Sequence, residues 1–219
     1  MRSKLVTLSG GNAALSERYR SLRAQLEQVE KAGARLLAVV TPAANNGSVE
    51  MIANLAVTYA QAGRRTLIID GDLGNPVLHK LFGLPNAAGF SQVLEGRCSI
   101  GDAIQDDVLH HLSVLTAGHR SDHYGDIVGA FPLRERLEQW QQQFEYDMVW
   151  VNTPPVLDSA DAIQLAGACD RALFVLRSGA VKEDEAVRTR RLLEAAGVSV
   201  IGAVLTHHQP RRRWLPFKF

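Results

Sequence analysis

The sequence predicts an α/β protein with a doubly wound, mostly parallel sheet and helices on both faces. Short apolar runs of strand length recur along the chain, and amphipathic helical patterns separate most of them. Alternation of strand and helix at this spacing is typical of parallel strands joined by helical crossovers. A tight turn directly after the first strand adds the third indication, because doubly wound sheets place their ligands at such turns.

The composition fits a single domain spanning residues 1–219, of which residues 1–15 are expected to be flexible. The formal net charge is +1, and no feature of the sequence indicates nucleic acid as a partner. The two cysteines have no metal-binding spacing. The chain starts without the apolar run of a signal peptide, and no stretch reaches the roughly 18 apolar residues of a spanning helix. We therefore expect a cytoplasmic protein.

The predicted elements follow one another with few long gaps. Strands are predicted at residues 35–41, 65–70, 110–115, 146–151, 172–177 and 198–205. Helices are predicted at 16–31, after Ser48, at 77–82, at 131–144, from about 158 and at 182–196. Residues 89–104 indicate short helix and turn, and residues 105–109 receive no assignment.

The rest of the chain is arranged around residues 35–56, which predict strand, tight loop and helix. The loop residues Asn45, Asn46, Gly47, Ser48 and Val49 lead into the helix, and Ser48 is predicted to cap it. A helix N-terminus offers free N–H groups and a partial positive charge, which suit a phosphate. A working phosphate loop ends in Gly-Lys-Ser/Thr, whereas this one reads Gly47-Ser48-Val49.

Polar side chains also stand at the ends of two later strands. Asp70 and Asp72 follow the second strand, and Asn152 ends the strand at 146–151. The two carboxylates could hold a metal, or they could cap the turn that follows. An amide at position 152 cannot supply the charge that a carboxylate would contribute to a magnesium site.

Two further charged segments have both a functional and an ordinary interpretation. Glu17, Arg20 and Arg23 are spaced along one strip of the first long helix. On spacing alone this strip is either functional or a solvated face with weak ion pairs. Arg211, Arg212 and Arg213 precede Trp214 in a basic-aromatic tail at 207–219. Such a tail suits an anionic membrane surface, or it is simply a frayed terminus.

Together these segments resemble the cytoplasmic kinase domain of the bacterial tyrosine kinases (BY-kinases) of polysaccharide synthesis and export. The resemblance covers about residues 16–206, including the segments 17–26, 53–84 and 151–162. It implies the fold of a P-loop nucleotide hydrolase of the deviant Walker type. It also implies that Glu17, Arg20 and Arg23 join neighbouring subunits, and that the partner is a membrane-embedded polysaccharide co-polymerase.

The departures from the family pattern concern the catalytic groups. The family's loop lysine and hydroxyl fall on Ser48 and Val49, its Walker B aspartate falls on Asn152, and an arginine falls on Gly74. Asp70 and Asp72 remain. None of the four tyrosines lies near the end, where the family's kinases carry their tyrosine-rich substrate tail.

We therefore expect a pseudokinase that acts as a scaffold or regulator, without a cofactor or metal, at the inner membrane through its partner. It would associate with itself or with an active kinase. One alternative is an active kinase or ATPase that binds ATP and magnesium with Asp70 and Asp72. The other is a relative of the partition and septum-site ATPases.

Overall fold

A computed structural model describes residues 5–9, 12–44, 46–119, 128–129 and 131–208. The strands are β1 (Leu36–Val40), β2 (Thr66–Asp70), β3 (Gln105–Leu109), β4 (Leu112–Leu115), β5 (Met148–Asn152), β6 (Arg171–Arg177) and β7 (Val200–Thr206). The helices are α1 (Val6–Ser9), α2 (Ala13–Lys31), α3 (Ser48–Gln61), α4 (Leu78–Phe82), α5 (Phe90–Leu94), α6 (Ile100–Ala103), α7 (Leu133–Gln143), α8 (Asp161–Gly167) and α9 (Glu183–Ala195).

The seven strands form one sheet in the order β3-β4-β2-β5-β1-β6-β7. All neighbouring pairs are parallel except β3 with β4. The predicted mostly parallel sheet with helices on both faces is confirmed. Strand β3 was missed because its sequence, QDDVL, has no apolar run; it lies at the edge of the sheet, where polar side chains meet water.

Two apolar cores lie on opposite faces of the sheet. The side chains of β1 alternate between them, with Leu37 and Val39 on the side of α3, and Leu36, Ala38 and Val40 on the other side. Every residue of β1, β2 and β5 is buried, which explains why these strands read as continuous apolar runs. The rigid central strands thus hold the loops at their carboxyl ends in fixed positions.

The described residues of the N-terminal segment 1–15, which we expected to be flexible, contact α3. Leu5 is 1% exposed and belongs to the core on the α3 side, and the Thr7 hydroxyl donates to Asn54 Oδ1 at 3.0 Å. Helix α2 begins at Ala13 rather than at residue 16, because Asn12 caps it by accepting a hydrogen bond from the Leu15 N–H. Apolar burial and a cap three residues upstream therefore order part of this segment.

A membrane-crossing helix, which must be both long and apolar, is not found in the part of the chain that the structure describes.

Candidate functional site

The predicted phosphate loop connects β1 to α3 at the carboxyl edge of the sheet. Gly47 adopts a left-handed conformation with φ +73° and is the N-cap of α3, so the predicted cap Ser48 is instead the first helical residue. A left-handed residue at this point favours glycine. The first intrahelical bond runs from the Met51 N–H to the Gly47 carbonyl, which leaves the preceding N–H groups without helical partners.

The loop is held from both sides by hydrogen bonds. Asn46 Nδ2 donates to Thr41 Oγ1 and to the Ala43 carbonyl, both at 2.6 Å. From the end of β7, Thr206 Oγ1 donates to the Asn46 carbonyl at 2.7 Å. The ring of His207 lies beside Gly47, where a Cβ would meet its Cε1 at 3.1 Å. Sequence reasoning missed Thr206 and His207, since nothing local connects them to a loop 160 residues earlier.

A cavity of about 180 Å³ opens in front of this loop. It brings together most of the predicted site residues, namely Asn46, Gly47, Ser48, Val49, Asp72 and Asn152, with Glu50, Asn75 and Thr153 among its other polar neighbours. Asn45 lies outside the described residues. The cavity lining, as far as the structure describes it, contains acidic and amide side chains but neither lysine nor arginine. The local charge is therefore negative.

Asp70 lies behind the cavity and is completely buried. Its Oδ2 accepts hydrogen bonds from the Val77 and Leu78 N–H groups at 3.2 and 3.0 Å, and its Oδ1 accepts one from Asn152 Nδ2 at 3.0 Å. Burial raises the pKa of Asp70, against the lowering effect of these hydrogen bonds. Oδ2 therefore fixes the start of α4 to the sheet, and Oδ1 binds Asn152 of the neighbouring strand β5.

Asn152 is the last residue of β5, which lies between β2 and β1, the strand that leads into the phosphate loop. It lies between Val39 of β1 and Asp70 of β2 in the register of the sheet. Its carbonyl accepts the Gly71 N–H at 2.8 Å, and a Cβ at Gly71 would lie 2.7 Å from that same oxygen. Its side-chain Oδ1 is buried and has no hydrogen-bond partner among the described residues. Asn152 therefore offers the cavity an unused acceptor.

Asp72 is the carboxylate that the cavity itself exposes. It accepts a hydrogen bond from the Asn75 N–H at 3.0 Å, which closes the turn after β2. Burial raises the pKa of Asp72 to about 6, and the hydrogen bond from Asn75 opposes this shift. No group of three or more His, Cys, Asp or Glu side chains that could hold a metal occurs among the described residues.

The remaining predicted site residues lie elsewhere. On α2, Arg20 is paired with Glu17 by a 2.8 Å contact, and both side chains are exposed. Arg23 turns away from this pair and donates from Nη1 to the Thr58 carbonyl of α3 at 2.5 Å. Arg211, Arg212, Arg213 and Trp214 lie outside the described residues.

Comparison with known proteins finds close relatives, although no protein-family model matches the chain. The chain is 30% identical over 206 residues to the tyrosine-protein kinase YwqD of Bacillus subtilis (strain 168), covering 94% of this chain and 86% of that protein. It is 31% identical over 195 residues to the putative tyrosine-protein kinase CapB of Staphylococcus aureus, covering 88% and 84%. The chain belongs to the family of bacterial tyrosine-protein kinases.

Solved structures of tyrosine kinases from the same family share this fold. The kinase domain of the Escherichia coli tyrosine kinase Etk aligns with a TM-score of 0.86 at 26% identity, over 94% of this chain and 82% of that chain. The chimerical protein CapA2B2 aligns with a TM-score of 0.84 at 29% identity, over 93% of this chain and 89% of that chain. MinD of Pyrococcus horikoshii, at 23% identity and a TM-score of 0.66 over 78% and 69%, shares the P-loop fold. These comparisons favour the tyrosine kinases over the alternative that the chain is a relative of the septum-site ATPases.

The raised pKa of Asp72 makes stability depend on pH in a defined direction. The native state holds this proton up to about pH 6, whereas an unfolded aspartate releases it near pH 4. Ionised Asp72 therefore destabilises the fold as pH rises through this window. We expect Asp72→Asn to be more stable than wild type at pH 7.5, by about 1 kcal/mol after allowance for solvent screening.

Urea unfolding at several pH values tests this expectation. The advantage of Asp72→Asn should shrink between pH 6 and pH 4, since the wild-type carboxyl is then neutral as well. A stability difference that stays constant from pH 7.5 to pH 4 would contradict the assigned burial effect.

Proposed function

We propose that this chain is a catalytically inactive member of the family, a pseudokinase that works as a scaffold or regulator. The observation that supports this most strongly is the charge of the cavity beside Gly47. Its described lining offers carboxylates and amides at the place where a triphosphate needs cations. The Ser48 and Val49 side chains at the start of α3 can supply neither a positive charge nor, at Val49, a hydroxyl for magnesium.

The chemistry of phosphoryl transfer makes this loss severe. The transferred group carries its charge on oxygens, and catalysis depends mainly on positioned positive charge. Removal of one such electrostatic contribution commonly reduces the rate by about 10²- to 10³-fold. The backbone N–H groups at the start of α3 remain available to a phosphate. Asp72 and Glu50 line the same cavity, however, and their negative charges would repel it.

The groups needed for magnesium are also poorly suited. Both oxygens of Asp70 already accept hydrogen bonds within the protein. Asn152 uses its only donor group on Asp70 and offers no charge. Of the two aspartates after β2, only Asp72 would remain to hold the ion, beside Glu50 and the Asn152 amide in the described lining. The residues present therefore do not fit a magnesium-bound triphosphate, and we derive no catalytic step through one.

Isothermal titration calorimetry with ATP and Mg²⁺ tests the proposal. We expect the wild type to bind ATP with a dissociation constant above about 1 mM. A variant combining Ser48→Lys, Val49→Thr and Asn152→Asp restores a cation, a hydroxyl and a carboxylate, and should bind at least about tenfold more tightly. Micromolar binding by the wild type would contradict the proposal and favour an active kinase or ATPase.

A matched control separates a specific site from a general increase in charge. Ser199 is exposed and lies outside the cavity lining, so Ser199→Lys adds the same charge at a distance. It should leave ATP binding at the wild-type level. Equal gains from Ser199→Lys and from the restored site would show that the loop position has no special role.

We further propose that the scaffold serves exopolysaccharide synthesis and export. The support is family membership together with the resemblance of the first helix and the Walker segments to kinases of that system. The partner would be a membrane-embedded co-polymerase, which would bring this chain to the inner face of the membrane. The tail residues Arg211, Arg212, Arg213 and Trp214 would add a contact with the membrane surface.

Self-association, or co-assembly with an active kinase, would use the exposed pair Glu17 and Arg20 together with Arg23, whose guanidinium is bound to the Thr58 carbonyl in the described chain. In the described chain the two exposed side chains satisfy one another, and a surface ion pair of this kind contributes little to stability. Exchange of these partners between subunits would therefore cost little. The pair can serve an interface without disturbing the fold.

Charge reversal on α2 tests this interface. Arg20→Glu places a second acid beside Glu17. We expect the protein concentration needed for assembly to rise at least about fivefold. Arg18→Glu changes the same charge at an exposed neighbouring position of α2 and is the control. Size-exclusion chromatography with light scattering measures both variants. Unchanged assembly of Arg20→Glu, or equal loss in the two variants, would contradict the assignment.

A further inference from the structure

A second cavity, of about 360 Å³, lies at the opposite end of α3 from the phosphate loop. Its walls come from the C-terminal half of α2, the start of β1, the end of α3 and the turn that follows α3. Helix α3 has 14 residues, so about 20 Å separates its two ends. Of the residues that line this cavity, the family resemblance and the proposed function assign a role to Arg23 alone.

Three buried polar atoms around this cavity have no hydrogen-bond partner among the described residues. They are Glu30 Oε1, the Tyr59 hydroxyl and Arg23 Nε. Glu30 is 5% exposed and Tyr59 is 1% exposed, and both residues line the cavity. Burial raises the pKa of Tyr59, and the Glu30 carboxylate, which faces the hydroxyl without completing a hydrogen bond of normal geometry, raises it further, so the hydroxyl keeps its proton. Unsatisfied buried groups are rare, and three at one cavity indicate missing partners.

The existing hydrogen bonds show which donor and acceptor atoms at the cavity are still available to a ligand. Arg64 Nη2 donates to Glu30 Oε2 at 2.7 Å, which leaves Oε1 as an acceptor. Arg23 uses Nη1 on the Thr58 carbonyl, and its Nε, which lies 3.9 Å from Glu27 Oε1, makes no hydrogen bond and remains a donor. The Tyr59 hydroxyl can both donate and accept. A molecule that fills the cavity should therefore carry at least one hydroxyl as well as acceptor oxygens.

The charge of the cavity favours an anion. Arg23, Lys31, Arg35 and Arg64 line it, against the two acids Glu27 and Glu30, so positive charge is in excess. Lys31 makes no ion pair in the part of the chain that the structure describes. An ammonium without a carboxylate beside a polar cavity is suited to bind a phosphate as a point charge.

We propose that this cavity binds a phosphate monoester of a small polyhydroxylated molecule, with a hexose phosphate as the representative ligand. The phosphate contacts Lys31, Arg35 and Arg23 Nε. A sugar hydroxyl donates to Glu30 Oε1 and accepts from Tyr59. A volume of about 360 Å³ lies within the range of small-molecule sites and exceeds what a single phosphate ion needs.

Calorimetry with glucose 6-phosphate, inorganic phosphate and glucose tests the proposal on the full chain. We expect glucose 6-phosphate to bind with a dissociation constant below about 1 mM. Inorganic phosphate should bind at least about tenfold more weakly than glucose 6-phosphate, and glucose should not bind. Lys31→Gln should weaken glucose 6-phosphate binding at least about fivefold. Lys80→Gln, which removes an exposed lysine of α4, is the control and should bind as the wild type does.

Tyr59→Phe tests the hydroxyl separately from the charge. The substitution removes a buried polar atom that has no partner, so thermal stability should stay the same or rise. Binding of glucose 6-phosphate should weaken at least about threefold, while inorganic phosphate is unaffected. The proposal is overturned if glucose 6-phosphate does not bind at 10 mM, if phosphate alone binds equally well, or if Lys31→Gln and Lys80→Gln behave alike.

Discussion

The hydrogen bond between Asp70 and Asn152 is the interaction on which this site depends. It connects β2 to β5 at the carboxyl edge of the sheet, and the remaining oxygen of Asp70 fixes the start of α4. Two carboxylates at these positions would repel one another at about 3 Å and would need a cation between them. An amide in place of the second carboxylate satisfies Asp70 directly, so the edge of the sheet is stable without a metal ion.

The cavity in front of the loop keeps the frame of a phosphate site but lacks its cation. Gly47 still bends the chain into α3 with a left-handed conformation, and Asn46, Thr41 and Thr206 still hold the loop in place. The geometry of a phosphate loop is therefore kept, while the described lining of its cavity contains two acids and neither lysine nor arginine. A chain with this frame can be retained for its surfaces, such as the exposed pair on α2, without selection for nucleotide chemistry. This is the physical basis of the scaffold proposal.

Much of this arrangement could be predicted from the sequence, for identifiable reasons. The fully buried strands β1, β2 and β5 read as continuous apolar runs, and the loop residues at 46–49 have the turn chemistry and helix period of a phosphate loop. Asp70, Asp72 and Asn152 follow strands that lie side by side in the sheet, so their meeting in space follows from the parallel topology. The kinase family was recognisable from several motifs in the correct order.

Other features depend on tertiary contacts that no local pattern encodes. The edge strand β3 is polar, the contribution of Leu5 to the core depends on packing against α3, and Gly47 rather than Ser48 caps that helix. His207 and Thr206 reach the loop from the other end of the chain. The second cavity was not predicted either, because Glu30 and Arg23 lie on α2 and nothing in the sequence of that helix brings Tyr59 of α3 beside them.

The most direct test of the central claim is a crystal structure of the wild-type chain grown with Mg²⁺ and a non-hydrolysable ATP analogue. The account predicts that Asp70 and Asn152 keep their hydrogen bond and that no analogue lies between Gly47 and Asp72. A triphosphate bound to the N-terminus of α3, with a magnesium ion coordinated by Asp72, would contradict it.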